Sequence, residues 1–253
     1  MTASNDQYRQ VSIANSQLRQ IQSSLVGQEY QVKIRLPEEY ENTATLYPVL
    51  YLLDGDHAFA MATDIVQYLI YGTHVPDLLI VSPAYDSKKF PHEGGKNMRN
   101  RDLKPFPTAQ SDTAPGGVQY LEFFQQELIP FIETNYRVVS NDRTLWGYSS
   151  GGMFALYALF HRPTLFQRYI IVDGFDQEFT SMEEMFAAQH TDLPIRLFIS
   201  APPSETESKA LFDRLRSRNY TNFRSEFAQL NDLGHFALAA EGLTKGLVSV
   251  FGN

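Results

Sequence analysis

Strand-like and helix-like segments alternate along most of this 253-residue chain, and the alternation restricts the folds that it can adopt. Strands are predicted at 49–53, 78–81, 143–146, 169–172, 197–200 and 223–228, and the segment 49–53 is apolar throughout. Helices are predicted at 118–135, where Pro130 should bend or shorten the helix, and at 152–160, 182–189, 209–216 and 238–250. Strands that are apolar throughout are buried on both faces. The pattern therefore predicts an α/β fold with a mainly parallel central sheet and helices on both faces.

The predicted domain organisation is simple. No linker-like segment divides the chain, so residues 1–253 are predicted to form a single α/β domain. Residues 84–117 are rich in Pro, Gly and charged side chains and show no helix or strand period, which predicts a long loop. Its basic residues are Lys88, Lys89, Lys96, Arg99, Arg101 and Lys104. The loop is either a solvated surface excursion or a flap beside a pocket that attracts an anionic or polar substrate.

The composition excludes several classes of protein. The absence of cysteine rules out disulfides, thiolate metal sites and a cysteine nucleophile. A formal net charge of −8 argues against non-specific binding of nucleic acid, which requires a basic face. No apolar run has the length of a membrane span, and the polar N-terminus lacks the apolar core of a secretion signal. A cytoplasmic protein is expected unless a signal has been removed. No phosphate-binding loop occurs, and neither a metal nor a cofactor is expected.

Residues 147–152 contain the pattern Gly-x-Ser-x-Gly, with Ser149 at its centre. The pattern lies between the predicted strand 143–146 and the predicted helix 152–160. A serine on such a strand-to-helix turn presents its hydroxyl above the sheet, and the helix N-terminus supplies N–H groups for a developing oxyanion. Ser149 is therefore predicted to be a nucleophile. The alternative is a glycine-rich packing turn in which the serine is buried or caps the helix.

A serine nucleophile needs a base that takes its proton. In this strand-to-helix arrangement the partners follow in the order serine, acid, histidine. His235 stands in a loop between the last strand and the last helix, where a base can reach back over the sheet. It is preferred over His161, at the far end of the helix that follows Ser149, and over His190, which ends a predicted surface helix.

The acid that orients the base should follow a strand between Ser149 and His235. Glu205 is the predicted acid and Glu207 is the alternative, since both follow the strand 197–200. Asp173 and Asp176 follow the preceding strand and are less favoured. Each glutamate has the alternative role of an exposed acid at the start of a helix.

Further groups are expected to bind the reacting ester. The backbone N–H groups of Ser150 and Asp56 are the predicted oxyanion donors. His57, Tyr148 and Arg101 are candidates for contact with the substrate. Asp54 is expected to hold its turn through side-chain bonds to the backbone.

Several stretches together resemble the putative esterase branch of the α/β-hydrolase superfamily, which contains the enterochelin and siderophore esterases. They are 47–56, 100–103, 116–117, 128–137, the turn at Ser149, 162–166 and 234–235, and the resemblance covers nearly the whole chain. It implies an α/β-hydrolase fold and ester hydrolysis by Ser149 and His235. Two positions depart from the relatives. Tyr148 stands where a histidine is common, and Pro202-Pro203 stand where a small, glycine-containing run usually precedes the acid.

Three functional hypotheses follow. The first is a serine carboxylic-ester hydrolase that acts through an acyl-enzyme on a small or aromatic ester. The second is an acyltransferase that uses the same Ser–His site, as in the mycolyl transferases that this branch resembles. The third is a non-catalytic binding protein on a hydrolase scaffold, because a fold does not determine a function. The expected partner is a small-molecule ester, with neither nucleic acid nor a membrane involved.

Overall fold

The centre of the molecule is one eight-stranded sheet. The computed structural model describes residues 11–85, 98–107, 114–231 and 234–252. The strands are β1 (Ser16–Ser23), β2 (Gln28–Arg35), β3 (Tyr47–Leu52), β4 (Leu79–Ala84), β5 (Val138–Tyr148), β6 (Arg168–Val172), β7 (Arg196–Ala201) and β8 (Arg224–Gln229). Their order is β1-β2-β4-β3-β5-β6-β7-β8. β2 pairs antiparallel with β1 and β4, and every pair from β4 to β8 is parallel, which confirms the prediction of a mainly parallel sheet.

Helices cover both faces of this sheet. They are α1 (Gly55–Tyr71), α2 (Met98–Leu103), α3 (Gly117–Phe123), α4 (Ile129–Asn135), α5 (Ser150–His161), α6 (Glu178–Ala187), α7 (Glu207–Ser217) and α8 (Leu238–Phe251). Each face of the sheet has its own hydrophobic core, and successive residues of β5 point into different ones. Leu145 packs in the core formed with α3 to α7, and Trp146 packs in the core formed with α1 and α8. The predicted α/β layering is thereby confirmed. No helix in the described part of the chain is both long and apolar enough to cross a membrane.

Helix α1 is the longest helix that the sequence analysis did not predict. The turn signal at 54–56 obscured the helix that begins there, although the buried residues Ala58, Ala62, Val66 and Leu69 recur at helical spacing. Asp54 has a left-handed φ of 62° and turns the chain out of β3. A Cβ on Gly55 would lie 2.6 Å from the carbonyl oxygen of Pro83, so the start of α1 packs directly against β4.

The helix predicted over 118–135 is present with an irregular centre. α3 and α4 are joined by a π-helical turn at Phe124–Leu128, and Pro130 follows at the start of α4. Because proline has no N–H group to donate, the wider turn before it accommodates the missing hydrogen bond. Pro130 therefore interrupts the regular α-helix without ending the helical segment.

The segment 84–117, predicted to be a long loop, contains helix α2. Residues 86–97 and 108–113 lie outside the described residues. The carboxylate of Asp102 is completely buried, and it accepts hydrogen bonds from the hydroxyl of Tyr30 (2.6 Å) and from Nε of Arg101 (2.6 Å). Burial raises the pKa of Asp102, and the two hydrogen bonds oppose that shift. This contact joins α2 to β2 in the core.

Replacement of Asp102 with alanine is expected to lower the free energy of unfolding by about 3–5 kcal/mol, because it leaves the Tyr30 hydroxyl and Nε of Arg101 without the carboxylate that accepts from them. Urea unfolding of both proteins measures the change. Asp213→Ala is the matched control, since Asp213 pairs with Lys209 on the surface and such pairs contribute little. Equal unfolding midpoints for wild type and Asp102→Ala would contradict the role of this contact.

Candidate active site

Ser149 lies at the turn between β5 and α5, with φ 56° and ψ −121°. This backbone conformation is strained for a residue with a side chain, and the surrounding packing holds it in place. The amide of Ser149 donates to the carbonyl of Val172 at the end of β6 (2.9 Å). A Cβ on Gly147 would overlap the carbonyl of Gly151, and one on Gly152 would lie 2.8 Å from Cα of Gly174. Gly147 and Gly152 are therefore required, because the start of α5 lies too close to the end of β5 and to the turn after β6 for larger residues.

His235 reaches Ser149 from the loop that precedes α8. Its Nε2 lies 3.2 Å from Oγ of Ser149, and its Nδ1 lies 2.7 Å from Oδ2 of Asp173. With Nδ1–H donated to the carboxylate, Nε2 is the acceptor that faces the serine hydroxyl. Tyr148 supports this position, because its hydroxyl donates to the carbonyl of His235 (2.7 Å). The histidine side chain is 48% exposed and lies at the surface of the molecule, and Ser149 is half-buried beside it.

The carboxylate in contact with His235 is Asp173, and the preference for Glu205 or Glu207 is corrected. Asp173 follows β6, the direct neighbour of β5, whereas the two glutamates follow β7, one strand farther from Ser149. Both carboxylate oxygens of Glu205 instead accept from the amide of Ser208 in the first turn of α7 (2.9 and 3.2 Å). Glu207 accepts from the hydroxyl of Thr206 (3.2 Å). Both therefore have the helix-start role that was their alternative.

The backbone conformation of Asp173 is unusual, and only the structure reveals it. Asp173 has a φ of 50°, a left-handed conformation that aspartate tolerates better than most residues. Its amide donates to the carbonyl of Ser200 (2.8 Å), which anchors the turn after β6 to the end of β7. Asp176, the other carboxylate after β6, accepts from the amide of Glu178 (3.1 Å) at the start of α6.

A cavity of about 360 Å³ opens beside Ser149. Its lining residues are Asp54, His57, Ala58, Met61, Arg99, Trp146, Tyr148, Ser149, His235, Phe236 and Ala239. His57 and Tyr148, both predicted to contact the substrate, are thus placed at the cavity. Most of the wall is apolar and comes from α1, β5, the turn before α8 and the first turn of α8.

Arg101 does not line this cavity, and its neighbour Arg99 does. The guanidinium of Arg101 is bonded to Asp102 and to the Gln28 side chain (2.9 Å), which places it in the packing of α2. Arg99 lies two residues before Arg101, about half a turn away at 3.6 residues per turn, and so on the opposite side of α2. In the sequence it was only one of several basic residues of the segment 84–117. The short helix decides which of the two arginines faces the serine.

Arg99 forms a two-bond ion pair with Asp54. Nε and Nη2 of the arginine donate to the two carboxylate oxygens, the second at 2.9 Å. Burial lowers the pKa of Arg99, but the charge and hydrogen bonds of Asp54 outweigh it, and the net shift is upward. The guanidinium is therefore a fixed cation at the wall of the cavity. The sequence predicted that Asp54 bonds to the backbone of its own turn. In the structure its carboxylate accepts from the Arg99 side chain instead.

The predicted oxyanion donors are placed at the starts of two helices. Ser150 is the first residue of α5 and Asp56 lies in the first turn of α1, where backbone N–H groups lack an intrahelical acceptor. The carboxylate of Asp56 is occupied elsewhere, because it accepts from the amide of Tyr85 (2.9 Å) and faces Nζ of Lys33 (3.8 Å). Any role of Asp56 at the serine therefore belongs to its amide, and that role remains a prediction.

A serine, a histidine and a carboxylate in one hydrogen-bonded series, at the carboxyl edge of a mainly parallel sheet, form the arrangement of serine hydrolases with the α/β-hydrolase fold. Residues 23–207 match the model of the family described as "Putative esterase". The chain therefore belongs to this esterase family.

Relatives and solved structures agree with the family. The ferri-bacillibactin esterase BesA of Bacillus subtilis is 27% identical to this chain over 261 residues, which cover 90% of this chain and 86% of the relative. The siderophore triacetylfusarinine C esterase of Aspergillus fumigatus is 31% identical over 150 residues, 57% of this chain and half of that protein. The crystal structure of the BES protein from Bacillus cereus superposes with a TM-score of 0.84 at 25% identity, over 96% of this chain and 97% of that chain.

The protein is accordingly a serine esterase with an α/β-hydrolase fold, as the resemblance of its sequence implied. The acyltransferase and the non-catalytic binding protein are not favoured, because the relatives are named as esterases.

Proposed function

We propose that Ser149, His235 and Asp173 form the catalytic triad of this esterase. The observation that carries the proposal is the position of His235, whose two ring nitrogens contact the serine hydroxyl and the aspartate carboxylate at the same time (3.2 and 2.7 Å). A serine hydroxyl is a weak nucleophile unless a base takes its proton, and Nε2 is within reach of that proton. Asp173 holds the imidazole in the tautomer that leaves Nε2 unprotonated.

The proposed reaction has two halves. In the first, Oγ of Ser149 attacks the ester carbonyl, and its proton moves to Nε2 of His235. The amides of Ser150 and Asp56 stabilise the oxyanion, which collapses to an acyl-serine as His235 returns the proton to the leaving alcohol. In the second, His235 takes a proton from water, and the hydroxide attacks the acyl-serine. The bond between the acyl carbon and Oγ of Ser149 then breaks, Oγ takes the proton back from Nε2, and the carboxylic acid is released.

The proposed substrates are esters of siderophores. The relatives are named for ferri-bacillibactin and for triacetylfusarinine C, which supports this class. The cavity is compatible with it, because the exposed His235 lets a bulky ester approach Ser149 from solvent. The apolar wall formed by Met61, Trp146 and Phe236 suits an aromatic or aliphatic group, and Arg99 suits a polar one.

Product analysis by mass spectrometry tests this specificity. The protein is incubated with ferri-bacillibactin, triacetylfusarinine C and p-nitrophenyl butyrate, each with and without a simple acceptor alcohol. We expect hydrolysis of a siderophore ester with a kcat/KM roughly a hundredfold above that of the small ester, and free acid as the product. Cleavage of p-nitrophenyl butyrate alone would contradict the siderophore proposal. A product esterified to the added alcohol would identify acyl transfer instead.

A further inference from the structure

Three neighbouring strands begin with arginine. Arg168, Arg196 and Arg224 are the first residues of β6, β7 and β8, and the parallel register pairs Arg168 with Arg196 and Arg196 with Arg224. Paired residues of adjacent strands lie about 5 Å apart and point to the same face of the sheet. The three guanidinium groups, here called the arginine row, therefore stand side by side at the amino edge of the sheet.

The arginine row is only partly neutralised by the described residues. Arg168 pairs with Asp142, and Arg196 donates to the backbone carbonyls of Val250 (3.2 Å) and Gly252 at the end of α8. Arg224 is exposed and forms no ion pair within the described part of the chain. Burial lowers the pKa of Arg196, and the neighbouring positive charges of Arg224 and Arg168 lower it further.

Donors of the row remain available to a ligand. The bonds to the described residues use Nε and Nη1 of Arg168 and Nη1 of Arg196, and a guanidinium has five N–H donors. Glu226, the acidic residue two positions after Arg224 on the same strand, is engaged by the hydroxyl of Ser249 (2.6 Å). The backbone bonds of Arg168 and Arg196 help to hold α8 on the sheet, but they do not require a third arginine beside them.

A cavity of about 330 Å³ lies on the row. It is lined by all three arginines and by Gln167, Ile195 and Asn222, among others. Several guanidinium groups around one cavity match the geometry of phosphate oxygens, which arginine binds through paired N–H donors. The chain as a whole carries a net charge of −8, so this cluster of positive charge differs in sign from the net charge of the protein.

We propose that the arginine row is a binding site for a phosphate group, presented by inorganic phosphate or by a small phosphorylated molecule. The site is separate from the esterase site. Arg168 is the first residue of β6, and Asp173 directly follows the last residue of that strand. The arginine row and the proposed triad therefore lie at opposite ends of β6, roughly 16 Å apart at about 3.3 Å per residue.

Isothermal titration calorimetry of the full chain tests the proposal. Inorganic phosphate, pyrophosphate and glycerol phosphate are titrated at constant ionic strength, with KCl as the reference salt. We expect saturable binding of at least one of them with a Kd below about 1 mM, and a loss of at least tenfold in affinity in Arg224→Gln and in Arg196→Gln. Tighter binding of glycerol phosphate than of inorganic phosphate would identify an organic phosphate as the ligand, and the reverse order would identify the free ion.

Two controls make the result specific. Arg216→Gln removes the same charge from an exposed position on α7 and should bind as the wild type does. Ser149→Ala should also bind normally, so the outcome does not depend on the proposed esterase mechanism. Arg224 is exposed, and its variant is expected to fold even if Arg196→Gln is unstable. Three results would overturn the proposal. They are the absence of binding to the wild type at ligand concentrations up to 10-fold above about 1 mM, equal affinities in all variants, and a loss of binding in Ser149→Ala.

Discussion

Replacement of Ser149 with alanine is expected to lower kcat for ester hydrolysis by about 10⁵- to 10⁶-fold. The hydroxyl of Ser149 is the group that His235 contacts through Nε2, and alanine leaves no atom that can form the acyl intermediate. The fold should persist, since the strained turn is held by backbone contacts that alanine keeps. Turnover of an ester is measured together with intact mass after treatment with a fluorophosphonate. The wild type should gain one adduct and the variant none.

Ser150→Ala is the matched control for this variant. Ser150 is the neighbouring serine, and its predicted contribution comes from its backbone amide, which alanine retains. We expect its turnover to stay within about tenfold of the wild-type value, since the oxyanion donor is preserved. Comparable rates for Ser149→Ala and wild type, or a fluorophosphonate adduct that persists in Ser149→Ala, would show that another residue is the nucleophile.

Asp173→Asn is expected to reduce kcat by about 10⁴-fold with little change in structure. Asparagine has the shape of aspartate and tolerates the left-handed φ of 50°, but its amide cannot both accept from Nδ1–H of His235 and stabilise the imidazolium. The histidine is then free to adopt the tautomer that points a hydrogen at the serine. Steady-state kinetics on the same ester as for Ser149→Ala measure the loss, and circular dichroism checks the fold.

Glu205→Gln distinguishes the two candidate acids. Glu205 bonds only to the start of α7 among the described residues, so its substitution should cost about 1 kcal/mol of stability or less and leave kcat within about twofold. A large loss of kcat in Glu205→Gln with an active Asp173→Asn would restore the acid that the sequence favoured. Nearly normal rates in both variants would show that Ser149 and His235 act as a dyad.

Helix α1 and residue Asp173 show why part of the structure could not be predicted. Apolar residues recur at helical spacing along α1 and favour a helix. The first residues of α1 also form a turn pattern, and that pattern led to the prediction of a turn there. Asp173 and Glu205 both follow a buried strand, and the sequence favoured Glu205. They differ only because β6 lies next to β5 in the sheet and β7 does not. Strand order depends on long-range packing, and no short window of sequence contains it.

The sequence by itself determined the layering of the fold, the turn that carries Ser149 and the histidine that contacts it. Each of these depends on local information: the period of apolar residues, the glycines that a close strand–helix contact requires, and the position of a histidine after the last strand. The tertiary structure decided which carboxylate contacts His235 and whether Arg99 or Arg101 faces the cavity. It also brought Arg168, Arg196 and Arg224 together. These are juxtapositions of residues far apart in the chain or on opposite sides of one helix, and only the register of strands and the rotation of a helix can determine them.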